Sequence, residues 1–243
     1  MSPKRVLEIS VESLEAAAAA ERAGANRIEL CENLRVGGVT PRAELMSAVR
    51  ERVKLPIFAM IRPRGGDFVY SATEFATMLR SLEIAKACGM NGVVLGVLKA
   101  DRIIDIPRTR ELISAAHPLP VTFHRAFDET KDVFAALQEV MRTGAKRLLT
   151  SGGKANAEVG AAVIAKLVGL AGETIGILPG GGINPENLER VVRETGAKEF
   201  HSGLGTVMAY GHNGHGEFER EVRKLAGILD GLEVGTDKTA GQR

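Results

Sequence analysis

The chain contains no tryptophan, and aromatic residues make up only 4% of it. Base stacking therefore has little to draw on. Lys+Arg 32 against Asp+Glu 30 leaves a formal net charge of just +2, so no basic face is available for a phosphate backbone either. Nucleic acid is set aside as a partner. No apolar run approaches the length a membrane span needs, which sets a bilayer aside as well. Met1 to Arg5 is basic, but Glu8 and Glu12 interrupt the apolar residues after it, so no secretory core forms. The two cysteines, Cys31 and Cys88, lie far apart and make a disulfide framework unexpected. A cytoplasmic protein is the expectation.

Glycine is plentiful, at 28 of 243 residues, and it is placed with a rhythm. Gly24-Ala25-Asn26-Arg27-Ile28-Glu29-Leu30 is echoed by Gly89-Met90-Asn91-Gly92-Val93-Val94-Leu95. Gly144-Ala145-Lys146-Arg147-Leu148-Leu149-Thr150 and Gly196-Ala197-Lys198-Glu199-Phe200-His201-Ser202 repeat the phrase. Each glycine follows a helical pattern and precedes an apolar run, so it reads as a helix C-terminal cap ahead of a strand. Strands after Leu55-Pro56 and Leu119-Pro120, one from Ile175, and Val6 to Ser10 bring the total to eight. Helices are predicted near 12–23, 41–53, 74–87, 107–116, 130–143, 156–171, 185–194 and 217–229. The fold class is α/β, a (β/α)₈ TIM barrel: one domain over residues 1–232 with a frayed tail at 233–243. A doubly wound sheet would place its glycine turn after the first strand, where Ser10-Val11-Glu12-Ser13 has none.

The densest glycine run is Pro179-Gly180-Gly181-Gly182-Ile183-Asn184-Pro185-Glu186-Asn187. Asn184 reads as a helix N-cap, Pro185 as the first helical position and Asn187 as the third. Backbone N–H groups at such a turn point towards a phosphate or carboxylate, and barrels commonly hold phosphate beyond strands 7 and 8. A tight turn that binds nothing is the other reading.

Strand parity extends the argument. The outer face of a barrel strand must be apolar to meet the helices, which turns Leu7, Ile9, Ile28, Leu30, Ile61, Phe123 and Phe200 outward. Glu8, Glu29, Cys31, Met60, Arg62, Arg64, His124 and His201 then face inward, towards the carboxyl-end mouth. Arg27 and Glu199 face inward at the opposite rim, in structural roles. Arg62 and Arg64 form a two-pronged clamp for an anion, or neutralise Glu8, Glu29 and Asp67. His124 has the chemistry of a proton-transfer group, with Asp128 orienting it or an arginine, and a structural histidine is the plainer account. Ser151 and Gly152, after strand 6, add donors beside Gly180, Gly181 and Gly182. The run His212-Asn213-Gly214-His215 reads as a surface loop.

Taken in order, Ile28-Glu29-Leu30-Cys31, Gly37-Gly38-Val39-Thr40-Pro41, Met60-Ile61-Arg62-Pro63-Arg64-Gly65-Gly66-Asp67-Phe68, Thr122-Phe123-His124-Arg125-Ala126-Phe127-Asp128, Leu149-Thr150-Ser151-Gly152 and Pro179-Gly180-Gly181-Gly182 resemble the CutC family of copper homeostasis proteins. The resemblance runs from the first strand to Ser202. It implies the same barrel, a cytoplasmic setting, homo-oligomers (a homodimer or larger) and a part in copper handling. Carried over by motif, it points to Glu29, Cys31, Arg62, Arg64, His124, Arg125 and Ser151. Two departures stand out: His201-Ser202-Gly203 where the family more often has His-Ala-Ser, and Asp101-Arg102 where Asp-Gly is frequent.

Copper(I) as a bound ion comes from the resemblance alone. It prefers thiolate and thioether, and Cys31 is the candidate ligand, since Cys88 belongs at the opposite end of the barrel. The residues themselves favour a small anionic ligand at the mouth. An enzyme that acts on a phosphorylated or carboxylated compound with Glu29 and His124 as its acid–base pair is the alternative.

Overall fold

The computed structural model describes residues 5–204 and 214–232. Eight strands alternate with helices: β1 (Val6–Val11), β2 (Arg27–Leu30), β3 (Ile57–Met60), β4 (Gly92–Leu95), β5 (Val121–Phe123), β6 (Arg147–Thr150), β7 (Gly176–Pro179) and β8 (Glu199–Ser202). All paired strands are parallel, in the order β7-β6-β5-β4-β3-β2-β1-β8. β7 and β8 lie side by side and complete the ring, but no ladder hydrogen bond joins them among the described residues. Ser202 Oγ donates to the Ile183 carbonyl across that seam at 2.7 Å. This is the expected (β/α)₈ barrel.

The outer ring consists of α1 (Leu14–Arg22), α2 (Ala43–Arg52), α3 (Ala72–Ala87), α4 (Ile106–Ala116), α5 (Val133–Thr143), α6 (Ala161–Ala171), α7 (Leu188–Thr195) and α8 (Gly214–Gly231). The glycine rhythm does what its spacing requires. Gly24, Gly89, Gly144 and Gly196 have φ between +65° and +97°, the left-handed turn that stops each helix and starts the following strand. α3 begins with a capping box, Ser71 accepting from Glu74 N while the Glu74 carboxylate accepts from Ser71 N.

Several helix boundaries differ from those read in the sequence, α6 most, which starts at Ala161 and not near 156. α2 starts after Arg42, and the Thr40 hydroxyl, ahead of it, donates to the Arg62 carbonyl and accepts from the Arg62 N–H. α7 starts at Leu188: the Asn184 side chain caps a preceding turn, accepting from Glu186 N and Asn187 N at 3.0 and 3.1 Å. Gly214 and His215 belong to α8 rather than to a loop. His212, Asn213 and the tail at 233–243 lie outside the described residues.

Parity sorts the core into two layers. Leu7, Ile9, Ile28, Leu30, Ile61, Phe123 and Phe200 pack outward in the large cluster between strands and helices. Cys31, Leu34, Phe58, Met60 and Val94 form a separate cluster on the inner side. At the amino end the Phe58 ring lies between two guanidinium groups, Arg27 at 5.1 Å and Arg147 at 4.5 Å from its centroid. Gly92 makes room for that ring, since a Cβ there would stand 2.5 Å from it. Arg27 donates to Glu8 and, at 2.6 Å, to Glu199. Arg27 and Glu199 thus plug the lower barrel, in the structural role their parity indicated.

Candidate functional site

A cavity of about 820 Å³ opens at the carboxyl ends of the strands, a volume suited to a small molecule. Glu29, Arg62, His124, Arg125, Asp128 and His201 all line it, as do Gly181 and Gly182. Parity therefore brought one acid, one guanidinium group and two imidazoles, those of Glu29, Arg62, His124 and His201, to a single chamber. Lys154, Gly203 and Leu204, none of them a candidate site residue in the sequence, also line it.

Glu29 and His201 occupy the floor. His201 Nδ1 stands 2.8 Å from Glu8 Oε1, and its Nε2 stands 3.8 Å from Glu29 Oε2. Glu29 Oε1 is buried without a hydrogen-bond partner. Burial is the main cause that lifts the Glu29 carboxyl to about 7, with His201 working against it and Glu8 with it. Burial alone would also raise Glu8, but Arg27 and His201 together outweigh it and hold that carboxyl at about 2. Burial pulls His201 down, yet Glu29 and Glu8 reverse the balance, and its imidazole is raised above the ordinary value. Glu8 itself is fully buried and does not line the cavity; it links the floor to the plug beneath.

The partner of Glu29 is thus His201, not His124. His124 is buried with its ring 4.8 Å from that of Phe68, and its Nδ1 accepts from the Ala126 N–H at 3.2 Å. Burial, then the Arg62 charge, depress its pKa to about 3. With Nδ1 an acceptor, the ring is neutral and carries its proton on Nε2, which has no partner. That group is a neutral donor and a poor base.

The guanidinium groups divide similarly. Arg62 donates from Nη1 to the Val36 and Gly38 carbonyls and from Nη2 to that of Gly66, while lying over the Phe68 ring at 4.7 Å. Its fork is occupied in clamping the β2 and β3 loops together. Arg64 turns away to Glu74 (2.5 Å) and Asp67 (2.9 Å) and does not line the cavity. Arg125 is the free one. Its side chain is 42% exposed, with Nε on Asp128 (2.9 Å) and Nη2 on Ser151 Oγ (3.1 Å), leaving Nη1 open beside Gly181.

Asp128 neither orients His124 nor offers a free carboxylate. It accepts from Thr150 Oγ1, the N–H groups of Ser151 and Gly153, and Arg125, which pins the β6 loop. Ser151 Oγ is spent on Asp128 and the Lys154 carbonyl. Gly152 and Gly180 are packing positions outside the cavity lining, for a Cβ would meet the Gly160 carbonyl at 2.9 Å and Leu149 at 2.4 Å respectively. Gly181 and Gly182, at φ +97° and +75°, turn the β7 loop along the cavity.

The sequence profile of the CutC family matches residues 5–206. The chain belongs to the CutC family. It is 43% identical over 216 residues to a family protein CutC of Chromobacterium violaceum, covering 87% of each chain. It is 45% identical over 196 residues to the human copper homeostasis protein cutC homolog, covering 81% of this chain and 72% of that one. A crystal structure of CutC from Streptococcus agalactiae superposes with a TM-score of 0.77 at 32% identity, covering 82% of this chain and 98% of that one. At the level of the family, then, this is a copper homeostasis protein. Among the described residues no helix is long and apolar enough to cross a membrane.

The residues of this CutC chain do not fit a copper(I) thiolate centre. Cys31 is fully buried beneath the Gly37-Gly38 turn, outside the cavity lining, and its thiol donates to the Val11 carbonyl at 3.6 Å. Burial, then Glu29, Glu12 and Glu32, push its pKa well up, so the protonated form prevails. Among the described residues it belongs to no group of three or more histidine, cysteine or carboxylate side chains spaced to hold an ion.

Proposed function

We propose that the barrel mouth of this CutC-family protein binds a small molecule through a phosphate or carboxylate held between the β7 and β8 loops. What supports it is a set of unused donors. Among the described residues the N–H groups of Gly181, Gly182, Gly203 and Leu204 meet no acceptor, and all four residues line the cavity beside the open Nη1 of Arg125. Unpaired backbone donors around a concave wall favour an anion. Glu129, Glu186, Glu217 and Glu221 edge the same opening, which favours a ligand whose far end is neutral or cationic.

The test is thermal stabilisation by inorganic phosphate and a panel of phosphate esters and carboxylates. A ligand present at about a hundred times its Kd adds about 2.7 kcal/mol. Arg125→Ala loses that gain and Cys31→Ser keeps it. No stabilisation by any compound overturns the reading. Acid–base chemistry on the bound compound is the second reading, favoured by the partnerless Glu29 Oε1 and His124 Nε2 at the cavity wall. Product formation from a stabilising ligand, lost in Glu29→Gln, supports it; unchanged ligand under NMR sinks it.

A further inference from the structure

We propose that Glu29 and His201, backed by Glu8, form a binding site for one divalent transition-metal ion on the floor of the cavity. Glu8, Glu29 and His201 each offer a ligand atom, and these atoms lie within 4.8 Å of one another. All three residues are buried, and an acidic cluster in such a place would ordinarily be closed by direct ion pairing. Glu8 is closed in this way, with Arg27 on one oxygen and His201 Nδ1 on the other. Glu29 is not, for its Oε1 has no partner at all.

The spacing between the remaining two groups decides what fits. An N–H···O⁻ contact between His201 and Glu29 would close to about 2.8 Å. Two ligands on one zinc-like ion, with bonds of about 2.0–2.2 Å at a tetrahedral angle, stand about 3.4 Å apart. The observed Nε2···Oε2 separation is 3.8 Å, nearer the second value. The Glu8 contact also prepares the imidazole. A carboxylate that accepts the Nδ1 proton leaves the Nε2 lone pair facing Glu29, as in the carboxylate–histidine–metal arrangements that tune ligand basicity. Glu29 and His201 line the cavity, so further coordination positions open onto it for water or a ligand atom. Imidazole and carboxylate donors suit Zn(II), Mn(II) or Fe(II) and not the thiophilic Cu(I).

This goes beyond the anion reading and does not depend on it. The full-length protein is stripped with a chelator, and Zn(II) is titrated against a chromogenic competitor in phosphate-free buffer. The expected result is one equivalent bound, weakened at least tenfold by Glu29→Gln and by His201→Gln. Glu8→Gln is expected to weaken it about ten- to a hundredfold, as for a partner behind a ligand. Cys31→Ser leaves the affinity unchanged. Replacing Glu8 also disturbs Arg27, so a second measurement uses the unaltered chain: bound Co(II) shows d–d bands without a thiolate charge-transfer band. Absence of stoichiometric Zn(II), binding that survives both Glu29→Gln and His201→Gln, or a thiolate band overturns the proposal.

Discussion

Replacing Arg27 by methionine removes the guanidinium that faces both Glu8 and Glu199. The side chain of Arg27 is 8% exposed and that of Glu8 0%, so water cannot take over the lost contact. Breaking a buried pair by deleting one partner costs about 3–5 kcal/mol, because the other charge remains buried. For a chain of this size that lowers Tm by about 6–20 °C. The pH dependence identifies the cause. With Arg27 and His201 beside it, Glu8 is held at about 2, so its contribution is present above the unfolded carboxylate value and is lost only as pH falls through about 2. Without Arg27 the carboxyl rises and takes up a proton on folding, so the deficit of the variant should be largest at neutral pH and shrink towards pH 4.5. Adding Glu8→Gln should recover part of the loss, with a coupling of about 2 kcal/mol or more. Urea unfolding followed by circular dichroism at pH 7 and pH 5 measures the unaltered chain, Arg27→Met, Glu8→Gln and the double variant. A loss under about 1 kcal/mol, or a deficit equal at both pH values, refutes the account of the plug.

His124 makes an opposite kind of demand. Its folded pKa of about 3 lies below that of the unfolded imidazole, so the unfolded chain binds the extra proton and stability falls with decreasing pH from about 6.5, by at most about 1.4 kcal/mol per unit. His124→Asn, whose Oδ1 can accept from the Ala126 N–H in place of Nδ1, should flatten that slope; an unchanged slope between pH 6.5 and 4 contradicts the assignment. Arg102 sits in the left-handed region at φ +64°, so Arg102→Gly should stabilise the chain by about 0.5–1 kcal/mol, read as a rise in urea midpoint, and a fall would show that the side chain matters more than the backbone. Cys31 should resist a thiol reagent until the chain unfolds, while the partly exposed Cys88 reacts in the native state; mass spectrometry of the labelled peptides decides it.

The barrel was legible because two periodicities agreed. Alternation placed Leu7, Ile28 and Phe200 outward, and a glycine recurred where a helix reverses into β2, β4, β6 and β8. Parity also delivered Glu29, His124 and His201 to one cavity, since orientation along a strand is a local property. Which polar atoms remain unspent is not local. Arg62 and Arg64 read as an anion clamp, but the carbonyls of Val36, Gly38 and Gly66, brought from two loops, occupy the Nη groups of Arg62. Cys31 faced the right way but lay under a turn six residues further on. The partnership of Glu29 with His201 joins the second strand to the eighth, a proximity that only ring closure creates. The Asp101-Arg102 departure from the family's frequent Asp-Gly acquired its meaning only with the backbone angle.

The seam between β7 and β8 has a consequence for how this barrel responds to occupancy. Seven of its eight strand neighbours share a ladder; at the eighth the ring is held by packing and by the Ser202 hydroxyl. The idle amides of Gly181 and Gly182 hang from one side of that gap, and those of Gly203 and Leu204 from the other. A guest gripped from both sides would therefore act as a rivet, completing the hoop from outside the polypeptide. Slowed amide exchange at the two flanking strands, more than in the rest of the molecule, would be its mechanical signature.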